Sequence, residues 1–116
     1  MQIHVHTDNS IEGSAGLTRH VEAVVSDTLG RFGNQITRVE AFLRDVNGPK
    51  VAGDDKRCVL EARLAGRQPT VVSHDAPTVD AAIDGAVDKL EKSLDKLLER
   101  LSERKGRGSF GGEASE

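Results

Sequence analysis

The chain has 116 residues, a formal net charge of −3 and a single cysteine, Cys58. That length predicts one domain; a lone cysteine excludes an internal disulfide, and no run approaches the ~20 apolar residues of a membrane span. The acidic balance gives no global attraction to nucleic acid, and with Phe32, Phe42 and Phe110 as the only aromatics the core must be built from Val, Leu, Ile and Ala.

The N-terminus enters an alternating segment at once, so no leader is expected, and the free cysteine points to the cytoplasm. Met1 to Thr7 places Ile3 and Val5 on one side and Gln2, His4 and His6 on the other, which predicts an opening strand. Asp8 to Gly13 is a polar turn. Ser14 is a natural N-cap for a helix whose apolar positions are Leu17, Val21, Val24, Val25, Leu29 and Phe32, with Gly33-Asn34 ending it. Ile36 to Val46 alternates again: Val39, Ala41 and Leu43 face one way, Arg38, Glu40, Phe42 and Arg44 the other. That pattern belongs to a sheet with one buried and one wet face.

Gly48-Pro49 and Gly53-Asp54-Asp55 mark a loop. A third strand follows from Arg57 to Ala65, with Cys58, Leu60, Ala62 and Leu64 inward and Glu61 and Arg63 outward. Gly66-Arg67-Gln68 turns the chain into a short fourth strand, Thr70 to His74, with Val72 inward and His74 at its boundary. From Thr78, an N-cap after Pro77, to about Lys105 the residues Ile83, Val87, Leu90, Leu94, Leu97 and Leu101 recur at helical spacing. Asp80, Asp84 and Asp88 crowd the start of this helix, and Lys92, Lys96 and Arg100 lie nearer its end, as the helix dipole favours. At 1.5 Å per residue the helix would be roughly 40 Å long, so its second half should project beyond the sheet. Residues 1–105 are expected to form the domain and 106–116, rich in Gly and Ser, a flexible tail.

The order is β-α-β-β-β-α. It predicts an α+β two-layer sandwich, a four-stranded sheet with two helices on one face. The last three strands form an antiparallel meander, and the first pairs with the second through a right-handed helical crossover.

No constellation in the sequence suggests an enzyme, a cofactor or a metal centre. His4 and His6 share a strand face but lack a third ligand nearby, so they read as solvent-facing. Cys58 falls on a core position. Ser73-His74-Asp75 has triad residue types, but a triad is assembled by folding and not by sequence neighbours. Gly106-Arg107-Gly108 lacks the strand and helix that frame a phosphate loop. Binding surfaces remain. Lys89, Lys92, Lys96 and Arg100 follow steps of three, four and four and make a basic stripe on one helix face; Arg38, Arg44 and Arg63 add positive charge to the open sheet face, diluted by Glu40 and Glu61.

The stretch DAPTVDAAIDGAVDKLEKSLDKLLERL resembles the ribosome hibernation promoting factor and ribosome-associated inhibitor family (protein Y, sigma-54 modulation or S30EA proteins). The residues that carry the resemblance are Ala81, Ala82, Ile83, Asp84, Asp88, Lys89, Leu90, Lys92 and Lys96, with a compatible M-Q-I strand and a V-x-A-x-L strand at Val39 to Leu43. The resemblance implies a fold similar to a double-stranded-RNA-binding domain. It implies a non-enzymatic factor that binds the small ribosomal subunit at the decoding region, blocks the mRNA and tRNA sites, and preserves idle ribosomes in stationary phase or stress. The chain would be a short type. By motif position, Lys89, Lys92, Lys96 and Arg100 are the RNA-binding candidates, joined by Arg38, Arg44 and Arg63 on the sheet. Two features depart from the family pattern: the net acidic charge, and Leu98 where a basic residue is usual. Leu97 and Leu98 together widen the apolar stripe, and the alternative reading is a self-association or protein-interaction module with weak RNA binding.

Overall fold

The computed structural model describes residues 1–8, 11, 14–46 and 56–110, the last ten as helix backbone only. The loop at 47–55, the final residues 111–116, and the side chains of Leu101, Arg104, Lys105 and Arg107 lie outside the described residues.

The elements run β1 (Gln2–Thr7), α1 (Ala15–Leu29), β2 (Ile36–Asp45), β3 (Lys56–Leu64), β4 (Thr70–Ala76) and α2 (Val79–Phe110), with a 3-10 turn at Gly30–Phe32 after α1. The order and class match the α+β sandwich expected from the sequence. The sheet order is β1-β2-β3-β4. β1 pairs parallel with β2, and the β2–β3 and β3–β4 pairs are antiparallel. Gly66 adopts φ 71 in the β3–β4 turn, a left-handed conformation that costs a Cβ-bearing residue more.

Both caps form as their residue types dictate. The Leu17 N–H donates to Ser14 Oγ at 3.1 Å, and the Ala81 N–H donates to Thr78 Oγ1 at 3.1 Å. The helix-facing side of the sheet buries Ile36, Val39, Ala41, Leu43, Cys58, Leu60, Ala62 and Leu64. Val21, Val25 and Leu29 of α1 and Ile83, Ala86, Val87, Leu90 and Leu94 of α2 close over it. Burying each such Leu, Ile or Val side chain is worth about 1.5–3 kcal/mol against exposure. Ile11, inside the segment read as a polar turn, is also buried, at 7% exposure. Its N–H donates to the Asp8 carbonyl at 3.2 Å.

Besides one-residue differences at the ends of β1, β2 and β3, three boundaries differ from the sequence reading. Phe32 belongs to the 3-10 turn and not to α1 itself. β4 extends two residues past His74, because Ala76 is a buried position paired with Lys56 of β3. The backbone of α2 continues to Phe110, where composition had placed its end at about Lys105. No proline interrupts it, and each glycine there costs a helix only about 1 kcal/mol.

Candidate nucleic-acid interface

Lys89, Lys92, Lys96 and Arg100 are all exposed on α2. At 3.6 residues per turn they fall within an arc of about 80° on the helix surface. Lys89 Nζ donates to the Ser73 carbonyl at 2.9 Å, which fixes the start of the stripe against the edge strand β4. Lys92 pairs with Asp88 one turn earlier at 2.9 Å, and that carboxylate raises the Lys92 pKa. Lys96 and Arg100 make no ion pair among the described residues, so the stripe grows more available toward the C-terminal half of α2.

The sheet arginines sit on the opposite layer, since both helices cover the other face. They are mostly neutralised. Arg38 Nε lies 3.2 Å from Glu40 Oε2 without hydrogen-bond alignment. Arg63 Nε approaches the same oxygen at 4.0 Å, and Arg63 Nη2 lies 3.7 Å from Glu61. Glu40 also accepts a 2.9 Å hydrogen bond from His6 Nε2. That bond, helped by Arg38 and Arg63, holds the Glu40 carboxyl below the usual carboxylate range against the opposing effect of burial. Arg44 alone of the three sheet candidates is exposed and forms no ion pair among the described residues.

The structure therefore brings the four α2 residues together on one face and does not merge them with Arg38, Arg44 and Arg63 into one positive surface. The link round the β4 edge is a small cluster of Arg57, Ser73, His74, Asp75 and Lys89. Arg57 and Asp75 form a bidentate pair at 2.8 and 3.0 Å, and the guanidinium lowers the Asp75 pKa.

Sequence reasoning missed two features. Arg31 clamps the 3-10 turn to α2 by donating to both Asp95 carboxylate oxygens at 2.8 Å, while its guanidinium lies 4.1 Å from the Phe32 ring centroid. His6 and Phe42 stack across β1 and β2 with centroids 4.7 Å apart and planes 14° from parallel. Alternation had placed both outward, but only the register, in which His6 lies beside Phe42, makes them a pair.

Leu97 and Leu98 are half-buried at the margin of the core. Leu97 lies by the β3–β4 turn and Leu98 beside Phe32 and Gln35. Each packs in part against the core and stays in part exposed. Cys58 is buried, and burial pushes its thiol up to about 12, which removes the thiolate a nucleophile needs. No group of three or more metal-ligating side chains occurs among the described residues, and none of their helices is long and apolar enough to cross a membrane.

The described residues form a capped α+β sandwich with a basic stripe along α2. The model for the Sigma 54 modulation protein / S30EA ribosomal protein family matches residues 3–102, and the chain belongs to that family. The family is one of non-enzymatic ribosome-associated factors. Among solved structures, the chain is similar to the Thermus thermophilus Protein Y N-terminal domain. The two are 23% identical with a TM-score of 0.68, over 84% of this chain and 99% of that one. It is also similar to a ribosomal subunit interface protein from Coxiella burnetii, at 16% identity and TM-score 0.64, over 85% of this chain and 99% of that one. These likenesses establish the fold. No curated protein matches the chain.

Proposed function

We propose that this protein is a cytoplasmic ribosome hibernation factor. It binds the small ribosomal subunit at the decoding region, occupies the space of mRNA and tRNA, and holds translation off in stationary phase or stress. The observation that supports this reading most is the exposed face of α2, where Lys89, Lys92, Lys96 and Arg100 line up beside the β4 edge. A row of point charges on a rigid helix suits the phosphate backbone of folded rRNA, which is recognised through shape and phosphate positions more than through base edges.

The test is co-sedimentation with purified small subunits and whole ribosomes at low and moderate salt. The comparison is a variant with Lys89, Lys92, Lys96 and Arg100 all changed to Ala. Four phosphate contacts give an affinity that falls with salt at a log–log slope of about −3, from roughly 0.7–0.9 per contact. The variant should lose most of the binding and most of that slope. Absence of wild-type binding at both salts would refute the reading. Binding that the variant keeps in full would move the RNA contact away from α2.

A further inference from the structure

The open face of the sheet holds a second feature, separate from the α2 stripe. Across β1, β2 and β3 one row of outward residues reads His6, Phe42 and Val59. Phe42 is 37% exposed, the one large aromatic so exposed among the described residues. Both helices lie on the other side of the sheet, so no element among the described residues covers this row. With Thr7, Asp8, Leu43 and Arg44 the same side chains line a groove of about 420 Å³. The aromatic pair is set in advance. The 2.9 Å bond from His6 Nε2 to Glu40 fixes the imidazole, and the imidazole lies flat on Phe42.

The charges select the occupant. Arg38 and Arg63 are engaged with Glu40, and Arg57 with Asp75. Arg44 makes no ion pair among the described residues; like Asp8, it borders the groove. It stands two residues from Phe42 on the same strand face, about 7 Å along the strand. A parallel aromatic pair with a guanidinium at that distance, unpaired among the described residues, matches a flat ring carrying an anion on a short linker. An unpaired nucleotide has that chemistry, and single-stranded RNA is commonly held by aromatic stacking beside positive charge. We infer that the His6–Phe42 pair receives an unpaired RNA base, with Val59 below it and Arg44 on its phosphate. The inference rests on the reading of the chain as an RNA-contacting factor, and it adds a base-stacking site on the layer opposite the basic stripe.

The probe is a short uridine-flanked single-stranded RNA with one 2-aminopurine, titrated with the full chain at low salt. Stacking on Phe42 quenches the 2-aminopurine emission. Phe42→Ala should abolish the quenching and weaken binding about 5- to 150-fold, the fold-change equivalent of roughly 1–3 kcal/mol per stacked base. Phe42→Leu keeps apolar cover over Val59 but has no ring. Its thermal melt should stay near wild type while the quenching is lost. Arg44→Ala should reduce the salt slope by about 0.7, one phosphate contact.

Wild-type protein that sediments with ribosomes yet leaves 2-aminopurine bright overturns the stacking site and leaves the hibernation reading intact. Phe42-dependent quenching without ribosome binding does the reverse. Full binding and quenching by Phe42→Leu would also overturn the inference. So would loss of ribosome retention in Phe42→Ala with no quenching by wild type, because the face would then meet ribosomal protein.

Discussion

Replacing Gly85 by alanine tests how closely α2 lies on the sheet. In an ordinary helix interior the change is favourable by about 1 kcal/mol, because glycine loses more backbone freedom on folding. Here a Cβ at Gly85 would overlap His74 Cδ2 and Nε2 and would sit 2.6 Å from His74 Cγ. Since Cγ is the root of the ring, rotating the imidazole about its own axis does not clear the clash. Either the whole His74 side chain changes rotamer or α2 lifts from β4. Overpacking of this kind costs about 1–3 kcal/mol. Set against the helix gain, Gly85→Ala should destabilise by about 0–2 kcal/mol.

The sign in a second background decides the matter. In His74→Ala the ring is gone, and the same Gly85→Ala change should stabilise by about 1 kcal/mol. The difference between backgrounds is the coupling between the two residues, about 1–3 kcal/mol. Urea unfolding followed by circular dichroism measures it. With a slope of about 1–2 kcal/mol per molar, each kcal/mol moves the midpoint by about 0.5–1 M. If Gly85→Ala stabilises both backgrounds equally, the ring does not lie over Gly85 and the reasoning is wrong.

Cys58 should resist iodoacetamide in the folded protein at pH 8 and react readily in urea, since its native thiol is pushed up to about 12; equal rates in both states would contradict its buried position. Acid should destabilise the fold through Asp75 and Glu40. The first is depressed by its Arg57 bond and the second by its His6 bond, so each stabilises fully above the unfolded carboxylate value of about 4 and loses that contribution as pH falls through its lower native value. Asp75→Asn should therefore show a smaller drop in Tm between about pH 5 and pH 3 than wild type, and an unchanged drop would mean the pair is not formed in solution.

Much of this architecture is readable from period alone, and the reason is local. In β2 and β3, Val39, Ala41 and Leu43 and Cys58, Leu60, Ala62 and Leu64 alternate with the outward residues Glu40, Phe42 and Arg44 and Val59, Glu61 and Arg63, so one buried face follows directly. In α2 the spacing of Ile83, Val87, Leu90 and Leu94 names the buried side without reference to any neighbour. The same spacing separates the basic stripe from that side. What resists reading is set by register and by close approach between elements. His6 meets Phe42 because of the parallel offset between β1 and β2, which no local pattern encodes. Glu40 gathers His6, Arg38 and Arg63 because β2 lies between β1 and β3. Gly85 looks like a helix weakness until His74 is placed over it. Ile11 sits among turn-forming residues in the sequence, and only the structure shows that its side chain is buried.

The net charge of −3 also takes on a different meaning once the partners are placed. At physiological ionic strength, exposed charges separated by more than about 8 Å are largely screened from each other. A bound phosphate therefore responds to the nearest few groups and not to the sum over the chain. Many acids near arginines are already engaged: Glu40 with Arg38 and Arg63, Asp75 with Arg57, and Glu91 and Asp95 with Arg31. These pairs cancel each other's field at a distance. The cations without an ion pair among the described residues include Lys96 and Arg100 at the far end of the stripe and Arg44 beside the aromatic pair. An acidic protein arranged in this way can present two local positive sites on opposite layers. Its overall charge would then disfavour loose attraction to nucleic acid in general while leaving intact the contacts that a matching RNA surface could make.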